Sequence, residues 1–122
     1  MDHNRPQINE VDLEAIQELY TKTRQDFDIS KVVLFGSRAR GDADEVYSDI
    51  DLLMLTNKER TVKSYSKILD IAAGISVEYC IALNCLYLSE RDWNSENMNP
   101  LLKSNIEKEG IELCPSLKKL KM

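Results

Sequence analysis

Two aspartates one residue apart, Asp49 and Asp51, open the apolar run Asp49-Ile50-Asp51-Leu52-Leu53-Met54-Leu55. In an extended strand alternate side chains share a face, so both carboxylates project to one side while Ile50 and Leu52 turn to the other, core-facing side. Neighbouring carboxylates on one strand face repel each other, and the pair is tolerable when solvated or when a cation lies between them. Hard oxygen ligands in that arrangement suit Mg²⁺, which takes one or two protein carboxylates and fills the rest of its shell with water and substrate phosphate oxygens. The complementary half lies upstream, in Gly36-Ser37-Arg38-Ala39-Arg40-Gly41. Gly36 lets the backbone approach a ligand closely. Ser37 opens a helical turn whose free N–H groups favour an anion, and its hydroxyl can donate to a phosphate oxygen. Arg38 and Arg40 carry guanidinium groups that match phosphate geometry. An anion-binding turn beside a cation-binding strand is what a Mg-nucleoside triphosphate requires. A Gly-Ser turn or an Asp-x-Asp alone recurs by chance, whereas strand, Gly-Ser, basic turn, loop and acidic strand in that order is far more specific.

The elements that must position these residues alternate between helix and strand patterns. Asn9 is a good N-cap with Asp12 three residues on, Ile8 and Leu13 are spaced for a hydrophobic staple, and Leu13, Ile16, Leu19 and Tyr20 make an apolar stripe in a helix ending near Asp26. Lys31 to Phe35 reads as a buried strand, 42–48 as a polar loop, and Asp49 to Leu55 as a second strand. Thr61 to Ala73 reads as a helix with Val62, Tyr65, Ile68, Leu69 and Ala72 on one side and Gly74 as its stop. Ile75 to Leu83 then reads as a third strand, which contains one acidic residue, Glu78. Ser89 caps a short turn holding Trp93, and Asn99-Pro100 starts a helix with Leu101, Leu102 and Ile106 on its apolar face and Gly110 at its end. Ile111-Glu112-Leu113 is a short last strand. The pattern predicts an α/β (α+β) fold, a mixed sheet of three to four strands flanked by helices. Tyr47, Tyr65 and Trp93 read as packing residues rather than base-stacking platforms.

Length and charge narrow the function. The 122 residues fit one domain, 1–122, with flexible ends at about 1–8 and 115–122 and a solvated Lys118, Lys119, Lys121 tail. A formal charge of −5 argues against a surface built to grip nucleic acid, though not against a local basic spot for a nucleotide. The N-terminus lacks a signal-peptide stretch and no run approaches the ~20 apolar residues of a membrane span, so a cytoplasmic location is expected. The cysteines are Cys80, Cys85 and Cys114, without a CxxC pair, and Cys80 reads as a buried free thiol in a reducing compartment. His3, the only histidine, sits in a frayed end, which disfavours histidine catalysis or zinc.

Gly36-Ser37, an eleven-residue spacer and Asp49-Ile50-Asp51 resemble the signature of the minimal nucleotidyltransferases of the DNA polymerase β superfamily. Gly-Ser-Arg-Ala-Arg-Gly before Ser48-Asp49-Ile50-Asp51-Leu52 is close to the form in MntA-like antitoxins, and the likeness runs on to the stretch Asn105 to Ile111. The resemblance implies the nucleotidyltransferase fold, two Mg²⁺ ions bound by Asp49 and Asp51, and a triphosphate held by Gly36 and Ser37. The third family carboxylate, an Asp on the next strand, falls on Glu78 in this reading, one methylene longer. The spacer is one residue longer than the common pattern, which the loop before Ser48 absorbs. The resemblance further implies ATP as substrate and AMPylation of a tyrosine on a HEPN-type ribonuclease toxin as the activity, with that toxin as partner. Two other readings remain at this stage. One is an antitoxin that neutralises its partner by contact. The other is a small-molecule, antibiotic-modifying nucleotidyltransferase, for which the chain looks short.

Overall fold

The structure, a computed structural model, describes residues 6–43 and 49–113. Helix α1 spans Glu10–Phe27 and is opened by a reciprocal cap: Asn9 accepts from the Asp12 N–H (2.8 Å) and Asp12 accepts from the Asn9 N–H (3.0 Å). Strand β1 is Ile29–Phe35, the short helix α2 is Ser37–Arg40 and strand β2 is Ile50–Thr56. Helix α3 is Val62–Tyr79, strand β3 Leu83–Ser89, helix α4 Glu90–Trp93, helix α5 Pro100–Glu109 and strand β4 Ile111–Leu113. The four strands form one mixed sheet in the order β3-β2-β1-β4, with β1 antiparallel to both β2 and β4 and β2 parallel to β3. His3, Tyr47, Ser48, Cys114 and the lysine tail lie outside the described residues.

The sheet is apolar on both faces, and side-chain alternation sorts its residues between two layers. Val32, Leu34, Ile50, Leu52, Met54, Cys85 and Tyr87 pack with Ile16, Leu19, Ile68, Ala72 and Ile75 from α1 and α3. Leu53, Leu55 and Leu88 pack with Trp93 and Ile106 on the opposite face, under α4 and α5. Ile50 and Leu52 are fully buried, as the alternation in β2 predicts. Asp51, of the opposite parity, lies on the α5 face, at the end of the sheet where β2 and β3 begin and β1 stops. Trp93 is buried in that second core and Tyr65 stacks on Tyr87, so both are packing residues.

Four expectations need correction. Gly74 does not stop α3, which runs on to Tyr79. Glycine inside a helix costs only about 1 kcal/mol relative to alanine. Ile68, Ala72 and Ile75, all buried, continue the helical stripe through it, and burying one Ile outweighs that cost. The third strand is therefore Leu83–Ser89 and not Ile75 to Leu83, and Glu78 stands on the last turn of α3. Cys80, expected to be buried, is exposed as the left-handed cap of α3 (φ 55°), while Cys85 is the buried thiol and burial pushes its pKa up to about 12. Val62, Leu69 and Leu101, assigned to apolar faces, are exposed. The Gln7 N–H donates to the Arg38 carbonyl (2.8 Å) and Ile8 packs on the core.

Asn99 caps α5 by accepting from the N–H groups of Leu101 (2.9 Å) and Leu102 (3.1 Å). Asn99→Ala leaves those donors without the cap and should cost about 1 kcal/mol, read as a lower urea midpoint at unchanged slope. An unaltered midpoint would mean that the cap contributes nothing in solution.

Candidate functional site

The site is built where β1 ends. Phe35 pairs with Asp51 across the antiparallel β1–β2 ladder, so the next residue, Gly36, is delivered to the Asp51 side chain. The contact is so close that a Cβ on Gly36 would overlap the Asp51 carboxylate oxygen Oδ2. Gly36 also has φ 79°, a left-handed value that side-chain-bearing residues rarely adopt. Glycine is thus required twice over, by conformation and by space. Gly36 is followed at once by α2, whose first turn accepts at the Gly36 carbonyl from the Ala39 and Arg40 N–H groups. Ser37 heads that turn, half-buried.

Asp49 is exposed and Asp51 half-buried, and the next strand brings Asn84 opposite Asp51 in parallel register. The Asn84 amide donates to Asp51 Oδ1 (2.9 Å). Burial raises the Asp51 pKa above its ordinary value. The Asn84 hydrogen bond opposes that shift, the negative charge of Asp49 adds to it, Arg40 opposes it and Glu109 adds to it. Two nearby acids and partial burial leave Asp51 short of positive charge, which is the electrostatic setting for a cation.

The expected residues divide. The fold brings Gly36, Ser37, Arg40, Asp49 and Asp51 to one end of the sheet. Arg38 turns the other way, toward α1, where its Nη1 donates to the Gln7 carbonyl (3.1 Å) and pairs with buried Asp12 (3.4 Å). Its place is a brace between α2 and the start of α1. Glu78, expected to face Asp49 and Asp51 from a strand, lies instead on α3. Its charge acts there on Glu18, Lys22 and Tyr79, and the Tyr79 hydroxyl donates to Glu18 (2.7 Å). The physical reason is the extension of α3 through Gly74, which leaves Asn84 as the β3 residue opposite Asp51.

Sequence reasoning missed Asn84 and Glu109. Glu109, the last residue of α5, accepts from the Gly36 N–H (2.8 Å) and from Arg40 Nη1 at both oxygens (3.1 and 3.2 Å). A carboxylate at a helix C-terminus opposes the helix dipole. An acidic residue just before Gly110 was therefore a usable signal that it has partners elsewhere. Gly110 is packed so tightly that a Cβ there would overlap the Ile106 carbonyl and Val33 Cγ1, which seats the end of α5 against β1.

The donor set can be tested against a metal. Among the described residues no group of three or more acidic, histidine or cysteine side chains is arranged to hold an ion, so protein alone supplies no full cage. Two carboxylates at the sheet end, beside a turn left open by the missing Gly36 Cβ, fit a Mg²⁺ that draws its other oxygens from a bound triphosphate and water.

Comparison with known proteins places this geometry in context. A family model described as a nucleotidyltransferase domain matches residues 16–113. A protein of Methanocaldococcus jannaschii named by inference as a protein adenylyltransferase is 33% identical over 91 residues, 71% of this chain and 61% of that protein. A second such protein from the same organism is 45% identical over 56 residues, 46% of this chain and 56% of that protein. The chain thus spans about six tenths of the length of these two relatives. Among solved structures, a chain of a mutant MntA–HpeT toxin–antitoxin complex matches with TM-score 0.59 and 15% identity, over 93% of this chain and 78% of that one. A chain of a toxin–antitoxin complex with AMP-PNP matches with TM-score 0.59 and 16% identity, over 89% and 77%. A structure described as a minimal nucleotidyltransferase matches with TM-score 0.54 and 25% identity, over 87% and 97%. The fold is shared with these neighbours.

Two outcomes follow from the geometry. Gly36→Ala must relieve the overlap with Asp51 and hold a strained φ, which costs about 1–3 kcal/mol for the backbone alone, so its melting temperature should fall. A melting curve like that of the wild type would mean that the turn is not packed against β2. For Asp51, a folded-state pKa raised above 3.8 means that the folded chain binds this proton more tightly than the unfolded chain. Its favourable contribution is present at low pH and is lost as pH rises through the folded value, so ionised Asp51 opposes folding at pH 7. Asp51→Asn should therefore stabilise the metal-free protein at neutral pH, and the gain should shrink as pH falls below 3.8. Urea titrations at the two pH values check this; a gain that is equal at both, or absent at neutral pH, would contradict it.

Proposed function

The chain belongs to the nucleotidyltransferase domain family, and on that premise we propose that it is a Mg²⁺-dependent protein adenylyltransferase that uses ATP, an antitoxin that AMPylates a tyrosine of a HEPN-type ribonuclease toxin. The single observation that carries the reading is the contact of Gly36 with Asp51, which sets an anion-binding turn against the carboxylate pair with no room for a side chain between them. The kinship with proteins named as adenylyltransferases supports AMP as the transferred group. The fold shared with toxin–antitoxin chains, one of them from a complex with AMP-PNP, supports a toxin as partner and an adenine nucleotide as substrate. The acidic balance favours a basic protein surface over nucleic acid as the docking partner. Among the described residues no helix is long and apolar enough to cross a membrane.

The reaction joins the tyrosine oxygen to the α-phosphorus and breaks the bond to the bridging oxygen of the β-phosphate. Pyrophosphate leaves with that bonding pair, and the phenolic proton passes to solvent. The Gly36–Ser37 turn and the Arg40 guanidinium hold the triphosphate, with Ser37 donating its hydroxyl to a phosphate oxygen. Asp49 and Asp51 would hold the Mg²⁺, which when bound would screen the phosphate charge and stabilise the leaving oxygens. Glu109 holds Arg40 and the Gly36 amide in position. Catalysis here is mainly positioning and charge neutralisation. A second reading, an antitoxin that neutralises by contact with little transfer, is favoured by one observation, the neutral Asn84 in the place opposite Asp51.

Co-expression with a HEPN-type toxin followed by intact-mass spectrometry tests the proposal. The toxin should gain adenylyl mass beside the wild type and none beside Asp51→Asn, and Asp49→Asn/Asp51→Asn should lose Mg²⁺-dependent ATP binding in calorimetry. Neutralisation by the mutant with no adduct under any condition would leave the contact reading and remove the enzyme.

A further inference from the structure

We infer that this site holds a single divalent cation, between Asp49 and Asp51, and that Asn84 is the residue that keeps a second one out. The inference deepens the proposed function and rests on its reading of Asp49 and Asp51 as cation ligands.

The register carries it. Asp51 and Asn84 are directly paired on parallel neighbours β2 and β3. Residues paired in this way on neighbouring strands stand roughly 5 Å apart, a separation that a cation bridges when both are carboxylates. Here one of the two is an amide, and it already bonds the other, Asn84 Nδ2 donating to Asp51 Oδ1 at 2.9 Å. The orientation is dictated by chemistry: a carboxylate oxygen only accepts, so the NH₂ end of the amide must face it. A hydrogen-bond donor, and no carboxylate oxygen, thus faces Asp51 from β3. Turned over, the amide would present a carbonyl dipole and no charge.

The remaining candidates are committed elsewhere. Glu109 is engaged by the Gly36 amide and by Arg40, and Glu78 sits among Glu18, Lys22 and Tyr79. A cation on the triphosphate draws most of its oxygens from substrate and needs only Asp49 and Asp51. A cation beside the acceptor hydroxyl has few substrate oxygens and depends on protein carboxylates, and here the third is missing. Substrate binding is therefore retained, while the acceptor hydroxyl attacks the α-phosphorus without a metal to lower its pKa. Transfer is slow relative to what the same scaffold supports with a carboxylate at position 84.

Equilibrium dialysis of Mn²⁺ against the full chain tests this directly, with α,β-methylene ATP, whose α–β linkage is not transferred, at equal concentration on both sides. The wild type should hold one Mn²⁺ per bound analogue, Asn84→Asp two, and Asn84→Ala one, with circular dichroism confirming that each variant folds. Two ions in the wild type overturn the inference and leave the Asp49/Asp51 reading intact. One ion in both the wild type and Asn84→Asp also overturns it, since the amide would not be what limits the count. Loss of the ion in Asn84→Ala overturns it too, by making the amide a ligand of the single ion. No ion in the wild type, under conditions in which the analogue binds, removes both the inference and the cation reading beneath it. As a second readout, AMP transfer to the co-purified toxin should be at least tenfold faster for Asn84→Asp, with nucleotide affinity little changed. A slower or equal rate at two bound ions would also count against it.

Discussion

The pairing of Phe35 with Asp51 is the constraint on which the site depends. One ladder position sets Gly36 against the Asp51 carboxylate, and both the anion half and the cation half of the site take their places from it. The register is held by burial on two faces. A slip of one residue would exchange the faces of β2, driving Asp51 into the layer now filled by Ile50, Leu52 and Met54. An unpaired carboxylate in that interior costs several kcal/mol. The site is therefore positioned by the core beneath it more than by bonds within it.

The same packing leaves charge imperfectly balanced where chemistry is expected. Asp51 is half-buried with Asp49 and Glu109 nearby and only Arg40 and an amide to offset them, so its proton is held more tightly than in an ordinary aspartate. A structural ion pair, such as Arg38 with Asp12, is arranged for the opposite purpose and braces α2 to α1. Arg38 and Arg40 thus serve different ends, because positions two apart in a helical turn point to different sides. On the proposed function, a cation arriving with its nucleotide would relieve the excess charge and so couple substrate binding to local stability.

The third strand governs how much chemistry the site can support. Extension of α3 past Gly74 places the start of β3 at Leu83, and Asn84 rather than an acid faces Asp51. The amide also makes the metal-free state quieter, because it satisfies one oxygen of an otherwise crowded carboxylate.

Much of this was legible from residue types and spacing alone. The alternation in β2, the capping box at Asn9, the cap-proline start of α5 and the glycine that ends β1 are local signals, and local physics decides them: side-chain period, orphan N–H groups and the space a missing Cβ leaves. Asp49, Asp51, Gly36, Ser37 and Arg40 were accordingly found together, and the mixed sheet flanked by helices was expected from the order of elements. The third strand was not legible. Ile75 to Leu83 carries an apolar pattern that suits a strand as well as a helix, and Gly74 is a weak stop that burial of Ile75 overrides. Nor could spacing show that Arg38 turns away, that Glu109 reaches Gly36 across 73 residues, or that Asn84 pairs with Asp51. Those are contacts between segments distant in the chain. Which side chains meet there is set by how two helical layers and four strands share one core, a decision that exists only once the sheet has closed its register.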